Sequence, residues 1–113
     1  MVINGAHVVI YSKDAAADRA FMRDVLGFPH LDIGHGWLLF RLPEAEAAVH
    51  PSDENDKHEL FLMCDDLDAT MQVLKAQQVA CEAISTQRWG RMTRLRLPGG
   101  GGLSLYEPRH ARP

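Results

Sequence analysis

Apolar residues recur along the chain with two periods, one typical of helices and one typical of strands. Ala17, Phe21 and Val25 follow one another at a spacing of four, which places them on one face of an amphipathic helix. This stripe predicts a helix over residues 15–26. A similar stripe of leucine and methionine predicts a second helix over residues 66–77.

The other apolar runs are short and rich in β-branched and aromatic residues, as strands are. Residues 28–33 form a short edge strand at best, because Pro29 interrupts them. Residues 51–57 are polar and turn-forming, and we interpret them as a linker between two halves. Strands are predicted near residues 6–12, 37–42, 45–50, 57–64, 79–84, 91–97 and 102–107.

The two halves of the chain resemble each other. His7 opens an apolar run that ends before Asp14, and His58 opens another that ends before Asp65. Both pairs are separated by 51 positions, and each aspartate is expected to cap the helix that follows it. Later matches have larger offsets, which grow only in loops, where insertions are tolerated. Each half therefore reads as strand, helix and three strands.

Length and composition limit the kinds of protein that this sequence can encode. The 113 residues suffice for one α+β domain, 1–113, with halves at about 1–51 and 57–108. The net charge is −3 and the basic residues are scattered, so no nucleic-acid partner is expected. Without a long apolar run we expect no membrane span. Cys64 and Cys81 are expected to be free thiols in a cytoplasmic protein.

Three segments resemble the vicinal oxygen chelate superfamily, which contains glyoxalase I, fosfomycin- and bleomycin-resistance proteins and extradiol dioxygenases. Residues 21–28 (FMRDVLGF) resemble the end of the family's first helix, and residues 58–67 (HELFLMCDDL) resemble its second-half opening. Residues 89–100 resemble the approach to its last strand. The resemblance covers residues 5–108. It implies a tandem βαβββ repeat forming a cupped mixed sheet around a cavity with helices outside, and a homodimer.

The resemblance also implies positions for a divalent metal ion. Family ligands come from the first and last strands of each half, which here gives His7 and His58 as metal ligands. The last strands usually supply a carboxylate. Ser104 stands at that position in the second half and Ala47 in the first. The resemblance therefore implies two imidazole ligands and no carboxylate ligand.

Alternation along the strands, anchored on the two histidines, predicts one small-molecule cavity. Two functions remain open for it. One is a metal-dependent lyase, isomerase or dioxygenase using His7 and His58. The other is a metal-free protein that holds a small molecule, which Ser104 and Ala47 favour. The residues predicted to line the cavity are His7, Val9, Ala47, Val49, His58, Leu60, Ser104 and Tyr106.

Overall fold

Two helices and six short strands make up the regular structure of the chain, which a computed structural model describes over residues 4–113. The helices are α1 (Ala15–Asp24) and α2 (Leu67–Ala76). Both lie within the ranges that the apolar stripes predict. The strands are β1 (His30–Asp32), β2 (Leu38–Phe40), β3 (Phe61–Met63), β4 (Ser85–Gln87), β5 (Gly90–Arg96) and β6 (Gly102–Pro108).

The strands form two separate sheets. β1 and β2 pair antiparallel as a hairpin. The other four form a mixed sheet in the order β3-β6-β5-β4, in which β3 runs parallel to β6 and the remaining pairs are antiparallel. This arrangement confirms the α+β class predicted from the sequence, with helices beside a mixed sheet.

The hydrophobic core lies between one face of the mixed sheet and the helices. Leu95 of β5 and Leu103 and Leu105 of β6 are buried there with Leu67 of α2 and Phe21 of α1. Side chains alternate along a strand, so the residues between these leucines project from the opposite face. We call that second side of the mixed sheet the helix-free face.

Each helix begins at an aspartate whose side chain caps it. Asp14 accepts a hydrogen bond of 3.1 Å from the Ala17 amide, and Asp66 accepts one of 3.0 Å from the Ala69 amide. The second cap is therefore Asp66 and not the Asp65 expected from the repeat. The helices begin 52 positions apart, at Ala15 and Leu67, so the repeat here is one residue longer than predicted.

Two predicted strands, 6–12 and 45–50, are not regular strands in the structure. Both segments run largely exposed, and no backbone hydrogen bond joins either of them to another strand within residues 4–113. A strand needs a neighbour to satisfy its amides and carbonyls. The two strand predictions are therefore wrong for a single copy of the chain, whose described residues supply these segments with no partner strand.

The edge of the mixed sheet also differs from its predicted form. In place of the strand predicted over residues 79–84, the structure has an isolated bridge pair between Cys81 and Leu95, which is flanked by backbone hydrogen bonds of 3.0 Å. The regular strand at this edge is β4, which lies where a loop was expected. A tight reversal before Gly90 folds it against β5, so that Ser85 pairs with Met92.

Neither helix is long and apolar enough to cross a membrane, within residues 4–113.

Candidate small-molecule site

The helix-free face is built from residues that are partners across neighbouring strands. Tyr106 of β6 pairs with Met63 of β3 on one side and with Met92 of β5 on the other. Ser104 likewise pairs with Phe61 on one side, and cross-strand partners project from the same face. Methionine, aromatic and hydroxyl side chains thus meet on this face, away from the core leucines.

Tyr106 is at the centre of an aromatic cluster. Its ring meets that of Phe61 edge-on, with centroids 5.8 Å apart, and that of Trp89 edge-on at 5.3 Å. The ring of His110 lies 6.1 Å away on the C-terminal tail. We call these four residues the Tyr106 cluster. Such edge-to-face contacts hold rings in defined orientations. Trp89 remains 41% exposed, so part of its surface is available to a ligand.

A polar chain extends from the Tyr106 hydroxyl. The hydroxyl lies 3.3 Å from Nε2 of His110, and Nδ1 of His110 lies 2.9 Å from the carbonyl of Ala111. Because a carbonyl only accepts, the tautomer with its proton on Nδ1 fits these contacts and leaves Nε2 to accept from the Tyr106 hydroxyl. The carboxylate of Glu46 lies 4.0 Å from Nδ1. The tail and the 41–50 segment thereby meet over the helix-free face.

Burial changes the acidity of two groups near this cluster. It raises the pKa of the Tyr106 hydroxyl. The charge of Glu46 raises this pKa further and the charge of Arg112 lowers it, and the hydroxyl stays protonated. Burial also raises the pKa of Cys64, whose Sγ lies 3.7 Å from the Tyr106 carbonyl. A protonated thiol is a weak nucleophile. The cluster therefore offers hydrogen bonds and aromatic surface, with no activated nucleophile in Tyr106 or Cys64.

Two grooves adjoin the mixed sheet. One of about 380 Å³ lies at the far end of β5, where Arg94, Arg96 and Glu82 line it with glycines 100–102. The other, of about 510 Å³, lies on the core side, between α2 and the sheet edge, and is lined by Met71 and other residues. Only the first includes side chains of the helix-free face.

Comparisons with known proteins rest on structure. No protein-family model matches the chain, and no curated protein matches it. Solved structures do match, among them TnmS3, an antibiotic binding protein from Streptomyces sp. CB03234. That structure is 23% identical, with a TM-score of 0.65, and the match covers 95% of this chain and 99% of that one.

The chain has the vicinal oxygen chelate fold. Lactoylglutathione lyase from Agrobacterium tumefaciens is 18% identical with a TM-score of 0.63, over 86% of this chain and 87% of that one. A glyoxalase/bleomycin resistance protein/dioxygenase superfamily member from Sphaerobacter thermophilus is 20% identical with a TM-score of 0.57, over 94% and 96%. At these identities the likeness establishes the fold alone.

Within this fold the structure brings together only part of the predicted cavity. Ser104 and Tyr106 share the helix-free face and are both 9% exposed. Leu60 packs against the hydrophobic core, on the other side of the sheet. His58 is exposed just before β3. The remaining predicted residues lie exposed on segments without regular structure: His7, Val9, Ala47 and Val49.

The helix caps explain why Leu60 and His58 do not join Ser104. Glu59 precedes the Asp66 cap by as many positions as His7 precedes Asp14. Glu59, not His58, is therefore the second-half equivalent of His7. It also has the strand parity of Phe61, which faces Tyr106. The adjacent aspartates 65 and 66 concealed this single-residue shift in the sequence.

Within a single copy of the chain the donor set, with Glu59 at the position corrected from His58, does not fit the divalent metal ion that the fold family implies. Among residues 4–113, no three His, Cys, Asp or Glu side chains are grouped as metal ligands. His7 and His58 are both exposed, and Ser104 has Arg94 as its partner across β5. A guanidinium beside Ser104 repels a cation.

Several residues of this face were absent from the predicted cavity. The predicted register puts Leu60 on the cavity face and so leaves Phe61 out, and His110 lies beyond the last predicted strand, 102–107. Arg94 and Arg96 alternate with Leu95 and Leu97, a pattern that also describes an ordinary solvated strand face. The signal that distinguishes them is their register opposite Ser104 and Gly102, which only the strand pairing reveals.

Proposed function

We propose that this protein binds a small organic molecule against the helix-free face, in a site that a second copy of the chain completes. The observation that carries the proposal is the Tyr106 cluster. Its rings are held at fixed angles, its hydroxyl is oriented by His110, and Trp89 leaves aromatic surface exposed. Sites for small ligands combine such apolar walls with a few fixed polar groups.

The similarity to TnmS3 supports binding as the function, because that protein is described as antibiotic binding and matches almost the whole chain. The identity of 23% does not transfer its ligand. The chemistry of this face also favours binding over catalysis. Tyr106 and Cys64 stay protonated, and Ser104 places a neutral hydroxyl where the family usually has a carboxylate. We infer a planar, largely apolar ligand.

A homodimer is proposed because one chain leaves too much surface uncovered. Its accessible surface is 9020 Å² for a mass of 12.6 kDa. A compact monomer of that mass exposes about 6,200 Å². Exposed apolar side chains contribute to this excess: Val9 is 60% exposed, Tyr11 92% and Val49 100%. Unpaired apolar segments of this kind need another strand or sheet to cover them.

The second copy would supply what the first half lacks. Segments 6–12 and 45–50 have strand-like sequences but no strand partner among the described residues. Pairing them across a dimer would bring His7, Val9, Ala47 and Val49 to a partner's sheet. The cavity lining predicted from the sequence would then be shared between two chains. Free Cys64 and Cys81 suit a cytoplasmic location for this assembly.

Binding can be tested with planar aromatic probes and matched tryptophan variants. Saturation-transfer NMR with a panel of bicyclic aromatic compounds should detect binding to the wild-type protein. Trp89→Ala should lose it, since Trp89 belongs to the Tyr106 cluster, whereas Trp37→Ala should keep it, since Trp37 contacts Arg19 on α1 instead. Absence of binding, or equal loss in both variants, would refute the proposal.

A further inference from the structure

We propose that the ligand carries a carboxylate, and that Arg94 and Arg96 bind it beside the Tyr106 cluster. This inference rests on the proposed function and narrows the ligand class to aromatic carboxylates. It follows from the positions of the two arginines on the helix-free face, from their missing partners and from the glycines beneath them.

The strand register places both arginines on the same face as Tyr106. Arg94 is the partner of Ser104, and Arg96 is the partner of Gly102. Residues two apart on one strand are separated by about 7 Å. Arg94 therefore lies diagonally across from Tyr106, within reach of a ligand that also touches the aromatic rings.

Glycine 102 gives the Arg94 guanidinium its position. A Cβ added at Gly102 would overlap the Arg94 guanidinium, with Nη2 only 2.8 Å away. The guanidinium thus lies against the bare backbone of β6, toward the groove of about 380 Å³ at the end of the strand. Only a residue without a side chain leaves that space at the start of β6.

Neither guanidinium is neutralised within the part of the chain that the structure describes. No carboxylate lies within 4.0 Å of Arg94 or Arg96 there, and neither side chain makes a hydrogen bond. Arg91, on the core side, differs: it pairs with Asp68 at 3.0 Å. Glu82 shares the groove but stays beyond that distance, so the groove carries one net positive charge.

Two arginines at this spacing suit an oxyanion. A guanidinium presents parallel donors that match a carboxylate, and such charged hydrogen bonds are about twice as strong as neutral ones. The Ser104 hydroxyl lies between Arg94 and Phe61 in the register and can donate a further bond. A ligand whose apolar ring lies on the Tyr106 cluster and whose carboxylate points toward Arg94 contacts both the aromatic and the basic part of this face.

The test compares a carboxylate probe with an uncharged probe that carries the same aromatic ring. Isothermal titration of the wild-type protein with 2-naphthoate and with 2-naphthalenemethanol should show the carboxylate bound at least about tenfold more tightly. In the double variant Arg94→Gln, Arg96→Gln the two probes should bind within about twofold of each other, and the alcohol should bind as it does to wild type. Arg23→Gln, which removes one exposed arginine on α1, is the control for losing a surface charge away from this face and should keep the preference.

The outcomes separate this inference from the proposed function. If both probes bind equally to wild type, the aromatic site stands and the carboxylate inference is wrong. If the preference survives in the double variant, another residue binds the anion and the inference is again wrong. If neither probe binds, the proposed function fails and the inference fails with it. If wild type shows no preference and light scattering finds the double variant monomeric where wild type is dimeric, the arginines belong to the interface instead.

Discussion

The carboxylate of Asp18 accepts a hydrogen bond of 2.7 Å from the backbone amide of Gly99. Asp18 lies on α1 and is only 6% exposed, whereas Gly99 lies in the turn between β5 and β6. This bond therefore joins the two halves of the chain. It fixes the turn that precedes Gly102 and Ser104, and so it positions one end of the helix-free face.

Removing the Asp18 carboxylate should destabilise the fold. Asp18→Ala leaves the Gly99 amide without its acceptor, which costs about 1–3 kcal/mol of unfolding free energy. Urea denaturation at a fixed protein concentration measures this. Asp24→Ala, on the same helix but paired only with exposed Arg23, should unfold as wild type does. Equal effects of the two variants would show that the link between the halves contributes nothing.

A methyl group at Gly99 should be more harmful than one two residues later. The added Cβ at Gly99 would lie 2.9 Å from Asp18 Oδ2 and overlap the Ser12 hydroxyl, whereas at Gly101 it meets nothing within 4 Å. We expect Gly99→Ala to lower the thermal midpoint by several degrees, for a loss of about 1 kcal/mol or more. Gly101→Ala should leave it within about a degree. Indistinguishable midpoints would contradict the described packing of this turn.

The cap of α2 offers a direct test of the register. Asp66→Ala removes the acceptor for the Ala69 amide and should cost about 1 kcal/mol of stability. Asp65→Ala should cost less, because no capping bond from Asp65 is present among the described residues. If Asp65 proves the costlier position, the repeat offset returns to 51 and His58 again corresponds to His7.

The hydroxyl of Tyr106 should ionise late. Burial, with a further contribution from Glu46, raises its pKa above the ordinary value of 10.0. Because the folded state holds this proton more tightly than the unfolded state, the stabilisation is complete below pH 10 and is lost as pH rises through the folded pKa. Ultraviolet titration of phenolate formation should show a late component that Tyr106→Phe removes. If the late component persists in Tyr106→Phe, it belongs to another tyrosine and this prediction is wrong.

Much of the fold was predictable because its signals are local. The spacing of Ala17, Phe21 and Val25 and the capping aspartate at position 14 lie within one helix, and the structure has that helix. The register of the repeat was not fixed locally, because Asp65 and Asp66 are both good caps. With Asp65 as the cap, the strand register in the prediction is one residue out. The prediction therefore has Leu60 facing the cavity and Phe61 facing away from it.

The rest could not be predicted, since it depends on long-range pairing. Segment 6–12 has the sequence of a strand, but strand formation requires a partner, and within the described chain it has none. The contact between Tyr106 and Trp89 depends on how β5 and β6 align. Arg94 alternates with Leu95 as on any strand with one exposed face, and only its pairing with Ser104 places it on the helix-free face.

Methionine-methyl NMR tests the central claim, that the ligand lies on the helix-free face, most directly. Met63 and Met92 both pair with Tyr106 on that face, whereas Met71 packs on the core side and lines the other groove. With isotope-labelled methionine methyl groups, addition of 2-naphthoate should shift the Met63 and Met92 signals and leave the Met71 signal in place. A shift confined to Met71 would place the ligand between α2 and the sheet edge and contradict the proposed site.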